Sequence, residues 1–355
     1  MKILVMPGDG IGPEIVAATE QVLQLVSDRL SLALEFEHQD VGLGPLKARG
    51  TTFPAEVLER CREADGIVLG PVSHAEYPPR AQGGINPSGE LRIKLDLFAN
   101  IRPSRSREGM PHYGRTPMDL VIVRENTEGF YADRNMVMGI GEFMPTPEIA
   151  LAVRKVTAKA SERIARSAFT LARKRRRKVT AVHKQNVMRI SDALFLENVR
   201  KVAAQFTDVA YDEQLVDSMA ALLVRDARRY DVIVTTNMFG DILSDEAAEL
   251  SGSLGLAGSI NASHTHCMAQ ASHGSAPDIA GRDLANPVSL ILSAAMLLEW
   301  LSIRHGNDAF AKAHALIEAS VDALLADPAR RTRDLGGALG TRAFTGALCA
   351  EIASR

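Results

Sequence analysis

Short apolar runs alternate along this chain with longer stretches in which apolar positions recur every three or four residues. Ile3 to Met6, Leu34 to Gln39, Gly66 to Leu69, Val121 to Val123, Val179 to His183, Asp208 to Tyr211 and Asp231 to Thr236 are too short for helices and read as strands, most of them buried. Helical periodicity spans Pro13 to Val26, Pro54 to Glu63 and a long stretch from Pro147 to Arg173. Asn286-Pro287 starts a further apolar helix running through Trp300. Strands alternating with helices form the pattern of a parallel sheet covered by helices, an α/β fold. Val72 to Gly89 is rich in proline, glycine and polar residues. It reads as a functional loop rather than a linker, because the core pattern resumes at Leu91. Ala132 to Met144, with its glycines and methionines, reads as an exposed arm.

The first strand runs into Gly8-Asp9-Gly10-Ile11-Gly12-Pro13-Glu14, a glycine-rich turn opening a helix at a proline suited to its first position. A dinucleotide fingerprint requires glycine where Pro13 stands, and that glycine is the one that lets helix and strand pack closely. A phosphate or ribose beside Ile11 at the helix N-terminus and a plain βα turn both fit the pattern.

The most chemically loaded stretch is Val234 to Asp245. A β-branched strand leads into a helix with Asp241 and Asp245 four residues apart, so both carboxylates project to one side. They are hard oxygen donors suited to Mg²⁺ or Mn²⁺. A solvated acidic helix start fits them as well, because the helix dipole favours aspartate there. Asp217, near another helix start, is a third potential ligand. Arg124 ends a buried apolar strand, Arg102 follows an apolar segment just before Pro103, and Arg92 opens a helical pattern. A guanidinium stays charged and must find an anion when buried, so three such groups could clamp a substrate carrying several carboxylates. Pairing with internal Asp or Glu is the alternative. Lys184 stands at the end of the strand Val179 to His183, before a helix onset. Desolvation and neighbouring positive charge both disfavour an ammonium in such a place, and the lysine could then act as a base. A surface lysine is the plainer reading.

Composition narrows the classes. The 355 residues suffice for two domains or one large α/β unit with an inserted lobe. With 46% hydrophobic and 24% charged residues the balance is globular, against disorder and against a membrane span. A net charge of −2 gives no general reason to expect nucleic acid, which would rest only on the basic run Arg173 to Lys178. That run suits a helix C-terminus equally well. Cys61, Cys267 and Cys349 are too few and scattered for a disulfide framework or zinc site, and are expected to be free thiols in a reducing cytosol. The N-terminus shows no apolar segment of signal-peptide length.

Taken in order, Gly8 to Glu14, Leu91-Arg92 through Arg102-Pro103, Arg124 to Gly129 with Tyr131, His183-Lys184, Asp217, Asn237 to Asp245, and His273 to Asp278 with Asn286-Pro287 closely resemble the isocitrate/isopropylmalate dehydrogenase family over essentially the whole chain. The resemblance implies a two-lobed α/β fold with a large mixed sheet flanked by helices, not a Rossmann fold. A large domain, residues 1–98 and 252–355, would carry the cofactor side, and a smaller inserted one, 99–251, dimerisation, metal and catalytic residues. It implies homodimers with shared active sites, in which Lys184 and Asp217 reach the partner's Asp241 and Asp245. It implies oxidative decarboxylation of a 2-hydroxy acid with a carboxylate on the next carbon. Mg²⁺ or Mn²⁺ would be bound by Asp217, Asp241 and Asp245, Lys184 would take the hydroxyl proton, Tyr131 would protonate the enol, and Arg92, Arg102 and Arg124 would grip carboxylates. A catalytically silent regulatory subunit would have lost Tyr131, Lys184 or an aspartate ligand, and all are present.

The cofactor loop implied by the resemblance comprises His273, Gly274, Ser275, Ala276, Asp278, Ile279 and Asn286, with Ile11. NAD-dependent relatives are similar to this chain in carrying Asp at position 278, against the adenosine ribose; NADP relatives commonly carry Lys then Tyr. Two departures stand out. Gln270-Ala271-Ser272 replaces the common Glu-Pro-Val, and Ser88-Gly89 stands where isopropylmalate enzymes place apolar residues. Asn86 and Ser88 show the residue types of the isocitrate enzymes' Ser-x-Asn pair in swapped order. A polar or small side group on the substrate is therefore expected, with 3-isopropylmalate, tartrate or D-malate as alternatives.

Overall fold

A computed structural model describes residues 1–130 and 141–355. The chain divides into two units: Met1–Leu95, Arg107–Pro111 and Ser253–Arg355 form the first, and Asp96–Ser106 and His112–Gly252 the second.

In the first unit the elements in chain order are β1 (Lys2–Met6), α1 (Gly12–Leu30), β2 (Glu35–His38), α2 (Leu43–Arg49), α3 (Ala55–Glu63), β3 (Gly66–Leu69) and α4 (Pro87–Lys94). The second unit holds β4 (Ala99–Arg105), β5 (Asp119–Glu125), β6 (Glu142–Thr146), β7 (Ile149–Ala152), α5 (Ala158–Arg173), β8 (Lys178–His183), α6 (Ser191–Ala203), β9 (Ala210–Leu215), α7 (Val216–Asp226), β10 (Val232–Thr235) and α8 (Asn237–Ser251). The chain then returns to the first unit with β11 (Ile260–Ala262), β12 (Cys267–Gln270), α9 (Val288–His305), α10 (Asp308–Ala326) and α11 (Thr341–Ser354).

Strand order in the first unit is β2-β1-β3-β12-β11, and in the second β4-β5-β10-β8-β9. The sheets are mixed. β1 pairs in parallel with β2 and β3, but β11 and β12 run antiparallel, as do β4 and β5. The alternation in sequence gives the pattern of a parallel sheet, whereas the family resemblance implies the mixed sheet that is found. The alternation cannot register strands that enter a sheet by a hairpin or by a chain returning from elsewhere.

The second unit shows why its strands read as unbroken apolar runs. Val121, Val123, Val179, Ala181, Val232 and Val234 face one core with Ile164, Ala168 and Phe169 of α5 and Phe195 and Val199 of α6. Leu120, Ile122, Val182 and Ile233 face the opposite core with Met219 and Leu223 of α7 and Leu243 and Ala247 of α8. With helices on both faces, the central positions Leu120 to Val123 of β5 and Val232 to Val234 of β10 are apolar on both sides. In the first unit α9 is buried over nearly its whole length and packs against β12, α1 and α10. It is the one described helix long and apolar enough to cross a membrane, and its apolar surface is instead mostly inside this unit.

Three local expectations change. The helix expected from Pro147 begins at Ala158, where Thr157 Oγ1 caps it by accepting the Ala160 N–H at 3.2 Å. Ile149, Leu151 and Val153 repeat every second residue, and this stretch forms β7, paired with β6 in an antiparallel hairpin. Its Phe143, Met144, Ile149 and Leu151 are exposed. Arg92 lies near the end of α4 rather than at its start, and the helix after Lys184 begins only at Ser191, following a turn. Most of the expected arm, with Tyr131, lies outside the described residues.

Four residues of the basic run make ion pairs within the chain. Arg173 pairs with Asp208, Arg175 with Asp119 and Asp231, Arg176 with Asp119, and Lys178 with Asp212. Cys61 and Cys267 are buried and unbridged, and burial pushes the Cys61 thiol up to about 12.

Candidate active site

In the second unit the strand-to-helix step β10–α8 brings two arginines onto two aspartates. Thr236 ends the extended segment, and α8 starts at Asn237. Its Gly240 packs directly on β5, because a Cβ there would stand 2.6 Å from the Arg124 Cβ. That close approach sets Arg124 against the helix. Its Nε donates to Asn237 Oδ1 at 3.0 Å, and Nη1 donates to Asp241. Arg102, from β4, donates to Ser244 Oγ at 2.8 Å and to Asp245 at 2.9 Å. Both guanidiniums are buried, whereas the Asp241 and Asp245 side chains are 34% and 53% exposed. Partial desolvation by the surrounding residues and the like charge of Asp241 push the Asp245 carboxyl above its ordinary range, against the pull of Arg102 and Arg124. Internal pairing, the alternative left open by the sequence, is realised for Arg102 and Arg124.

Lys184 and Asp217 form a separate pair. Lys184 follows the last residue of β8 and Asp217 is the second residue of α7, and parallel pairing of β8 with β9, which runs straight into α7, brings them together. Lys184 Nζ stands 2.6 Å from Asp217 Oδ1. The hydrogen bond from Lys184 holds the exposed Asp217 carboxyl below the usual range. Among the described residues, no three His, Cys, Asp or Glu side chains converge in a metal-holding cluster, so Asp217 does not join Asp241 and Asp245 within one chain.

In the first unit the glycine turn and the His273 loop dock on each other. Gly10 has φ +58°, and a Cβ there would meet the Ser275 carbonyl oxygen at 2.0 Å; the Ile11 N–H donates to that same oxygen at 2.8 Å. Ser275 Oγ lies 2.8 Å from Ser73 Oγ. Ala276 holds φ +38°, in the left-handed region that a residue with a Cβ enters at a cost. His273 Nδ1 is 3.0 Å from the Gly274 carbonyl, which can only accept; Nδ1 therefore carries the proton and Nε2 is left as an acceptor. Burial holds this imidazole below its ordinary range, consistent with the neutral ring. Asp278 is exposed and its carboxylate makes no ion pair with any described residue. Asn286 is spent on structure, donating to Asp334 at 2.9 Å and accepting the Val288 N–H at 3.0 Å.

Asn86 and Ser88 also take structural partners. Asn86 caps α4 by accepting the Gly89 N–H at 3.2 Å. Buried Ser88 donates to Gln270 Oε1 at 2.8 Å, and Arg92 Nη2 donates to the same oxygen at 3.2 Å. Gln270 thus organises this cluster, a role its place before the His273 loop does not reveal. Asp9 is a second residue whose part the sequence reading missed. Buried between two glycines, it accepts the N–H groups of Leu43 at 2.7 Å and Ser73 at 2.9 Å and the Tyr77 hydroxyl. An acid inside a glycine turn was the available signal.

The sequence profile of the isocitrate/isopropylmalate dehydrogenases matches residues 2–352. The chain belongs to the isocitrate/isopropylmalate dehydrogenase family. It is 41% identical to an isocitrate/homoisocitrate dehydrogenase of Thermus thermophilus, over 99% of both chains. It is 40% identical to a 3-isopropylmalate dehydrogenase of Methanothermobacter thermautotrophicus, over 99% of this chain and 98% of that one. The crystal structure of an isocitrate dehydrogenase from Methylococcus capsulatus superposes with a TM-score of 0.87 at 37% identity, covering 99% of each chain. Membership of the isocitrate/isopropylmalate dehydrogenase family makes the chain an enzyme, an oxidoreductase of the decarboxylating dehydrogenase kind. The α/β fold with a large mixed sheet flanked by helices is the fold of that family.

Proposed function

We propose that this dehydrogenase oxidises and decarboxylates a 3-carboxy-2-hydroxy acid, a 3-substituted malate, with NAD and Mg²⁺ or Mn²⁺. The observation that carries this reading is the pairing of buried Arg102 and Arg124 with Asp241 and Asp245 on one helix face. Two aspartates one turn apart are the hard oxygen donors such a cation takes, and the guanidiniums beside them are sized for carboxylates. Asp217 fits as a third donor from a second copy of the chain. Exposed apolar side chains support that dimer: Ile242 lies next to Asp241, Val187 and Ile190 follow Lys184, and Phe143 and Leu151 lie on the β6–β7 hairpin. The exposed carboxylate of Asp278 suits the ribose hydroxyls of NAD, and the Ile11–Ser275 turn brings backbone close to where the cofactor would lie.

When bound, the metal supplies a Lewis acid at the hydroxyl and NAD accepts the hydride. The chain's own groups do the rest. Arg92, Arg102 and Arg124 hold the carboxylates and set the orientation of the reacting carbon. Lys184 Nζ accepts the hydroxyl proton as the alcohol is oxidised. In this structure Lys184 Nζ donates to Asp217, so engagement of Asp217 elsewhere is what frees the nitrogen for the task. The resulting 2-keto-3-carboxy acid, with its ketone β to the 3-carboxylate, then loses that carboxylate as CO₂, and Tyr131 donates a proton to the enol carbon. Ser88, buried and bonded to Gln270, offers hydroxyl rather than apolar surface, which supports a polar or small side group on the substrate. The buried thiols of Cys61 and Cys267 suit a reducing cytosol.

The test follows NADH formation with isocitrate, homoisocitrate, 3-isopropylmalate, tartrate and D-malate side by side, for the natural enzyme and for Asp241→Asn. Turnover of at least one of these acids, abolished in the folded Asn variant, is expected. Near-normal turnover by Asp241→Asn at saturating Mn²⁺ would falsify the metal assignment. A highest kcat/KM for 3-isopropylmalate would overturn the side-group preference, since burying an isopropyl group gains roughly 1.5–3 kcal/mol only against apolar walls.

A further inference from the structure

The backbone of Lys184 rests on a buried ion pair. The side chains of Asp192, in the first turn of α6, and Arg154, between β7 and α5, are 0% and 8% exposed. The two oxygens of Asp192 are divided between partners. Oδ1 accepts from Arg154 Nη1, and Oδ2 accepts the backbone N–H of Lys184 at 2.5 Å. The guanidinium of Arg154 is divided as well: Nη1 also donates to Ser191 Oγ at 2.7 Å, and Nη2 donates to Thr236 Oγ1 at 3.0 Å. Its plane lies near the Phe239 ring, 5.5 Å from the centroid, and 5.7 Å from that of Phe130. Thr236 immediately precedes α8, and its carbonyl accepts the Gly240 N–H at 2.9 Å. A continuous line of contacts therefore runs from the backbone of Lys184 through Asp192 and Arg154 to the start of the helix carrying Asp241 and Asp245.

Fold stability does not demand such a pair. Taking two charges out of water is costly, and replacing a buried pair by apolar residues of similar volume is often neutral or stabilising. What an apolar pair cannot do is hold a backbone N–H and a threonine hydroxyl at fixed distances, which short charge-assisted hydrogen bonds do. We infer that Arg154 and Asp192 are positioning residues that fix the backbone of Lys184 relative to the N-terminus of α8. Among the described residues, neither bonds to the arginines assigned to substrate. In a site shared between two copies Lys184 would act beside the partner's α8, and the pair then fixes how the end of its own strand presents the side chain rather than its spacing to the acids of its own chain. The inference rests on Lys184 being the base.

The test uses the full-length enzyme with NAD, Mn²⁺ and whichever acid of the panel it turns over fastest. The variants are Arg154→Lys, which keeps a charge for Asp192 but loses the fork to Thr236, the apolar double variant Arg154→Met with Asp192→Leu, and Lys184→Met. Because sub-ångström to 1 Å misplacement of a reacting group costs up to 10²-fold, kcat is expected to fall roughly 10- to 100-fold in both pair variants. KM for acid and NAD should stay within about 3-fold, the signature of a loss confined to the transition state. The double variant should keep its melting temperature, while hydrogen exchange at the Lys184 amide accelerates. A folded double variant with natural kcat overturns the inference. So does a kcat loss that merely tracks a loss of folded protein. Lys184→Met separates the two layers: natural turnover in that variant refutes the base assignment itself, whereas an inactive Lys184→Met beside a fully active double variant refutes only the positioning role.

Discussion

Arg102 lies across both acids of α8, 2.9 Å from Asp245 and 3.5 Å from Asp241. Arg124 takes Asp241 from the other side. A cation added alone must displace guanidinium groups from these carboxylates. A polycarboxylate added with it gives the same guanidiniums new partners and frees the aspartates. Metal and substrate are therefore expected to bind cooperatively, each tightening the other by the same factor. Titration of Mn²⁺ followed by electron paramagnetic resonance, with and without a non-reacting tricarboxylate, should show affinity about 10-fold or more higher in its presence. Equal affinity in the two titrations would mean that the arginines do not exchange partners.

Gln270 accepts from Ser88 and Arg92 without contributing negative charge. Gln270→Glu keeps the shape and adds a carboxylate beside Arg92, where unit charges 4 Å apart attract by about 4 kcal/mol at an effective dielectric near 20 before screening. That ion pair competes with any carboxylate the arginine holds. KM for the acid substrate should rise on the order of 10-fold, with a smaller change in kcat. Steady-state kinetics at low and high salt checks this, because screening should narrow the difference. An unchanged KM would place substrate away from Arg92.

Cofactor choice turns on Asp278. Its free carboxylate can accept from ribose hydroxyls, whereas the 2′-phosphate of NADP would bring about two negative charges against it. Strong preference for NAD is expected, on the order of 100-fold in kcat/KM. Asp278→Lys with Ile279→Tyr should shift preference toward NADP. A natural enzyme that uses the two cofactors equally well contradicts this reading before any variant is made.

Burial holds the imidazoles of His183, His266 and His273 below their ordinary value of 6.5. Just below 6.5 the unfolded chain binds protons at these positions that the folded chain refuses. Their contribution to stability is therefore fully present above 6.5 and is lost as the pH falls from there through the lowered folded values. Urea midpoints measured at pH 7.5 and 5.5 should fall on acidification. In His183→Gln, which keeps an acceptor for the Gln185 N–H now bonded to Nδ1 at 3.1 Å, the fall should be smaller. A midpoint insensitive to pH over this range would show that the three rings are not held neutral.

Local chemistry was legible wherever one element carried it whole. The 3.6-residue repeat places Asp241 and Asp245 on one face of α8 from spacing alone, and helices on both faces of a sheet make Val121 to Val123 and Val232 to Val234 unbroken apolar runs. The motifs from Gly8 to Asn286, read in order, were enough to point to the family. The error over Pro147 to Val156 was also local. Apolar residues at Ile149, Leu151 and Val153 fit period two, but the strong helical pattern beginning at Ala158 drew the reading upstream, and only the Thr157 cap marks the boundary.

What the sequence by itself determined was the inventory: which acids, arginines and lysine exist, and which share an element. Which of them meet was decided by the tertiary structure, because pairing depends on strand order and on how close two backbones come. Parallel pairing of β8 with β9 brings Lys184 to Asp217, and the missing Cβ of Gly240 lets Arg124 reach Asp241. Gln270 meets Ser88 and Arg92 across about 180 residues of chain. A charged side chain finds its partner through space, and neither periodicity nor composition carries distances of that kind.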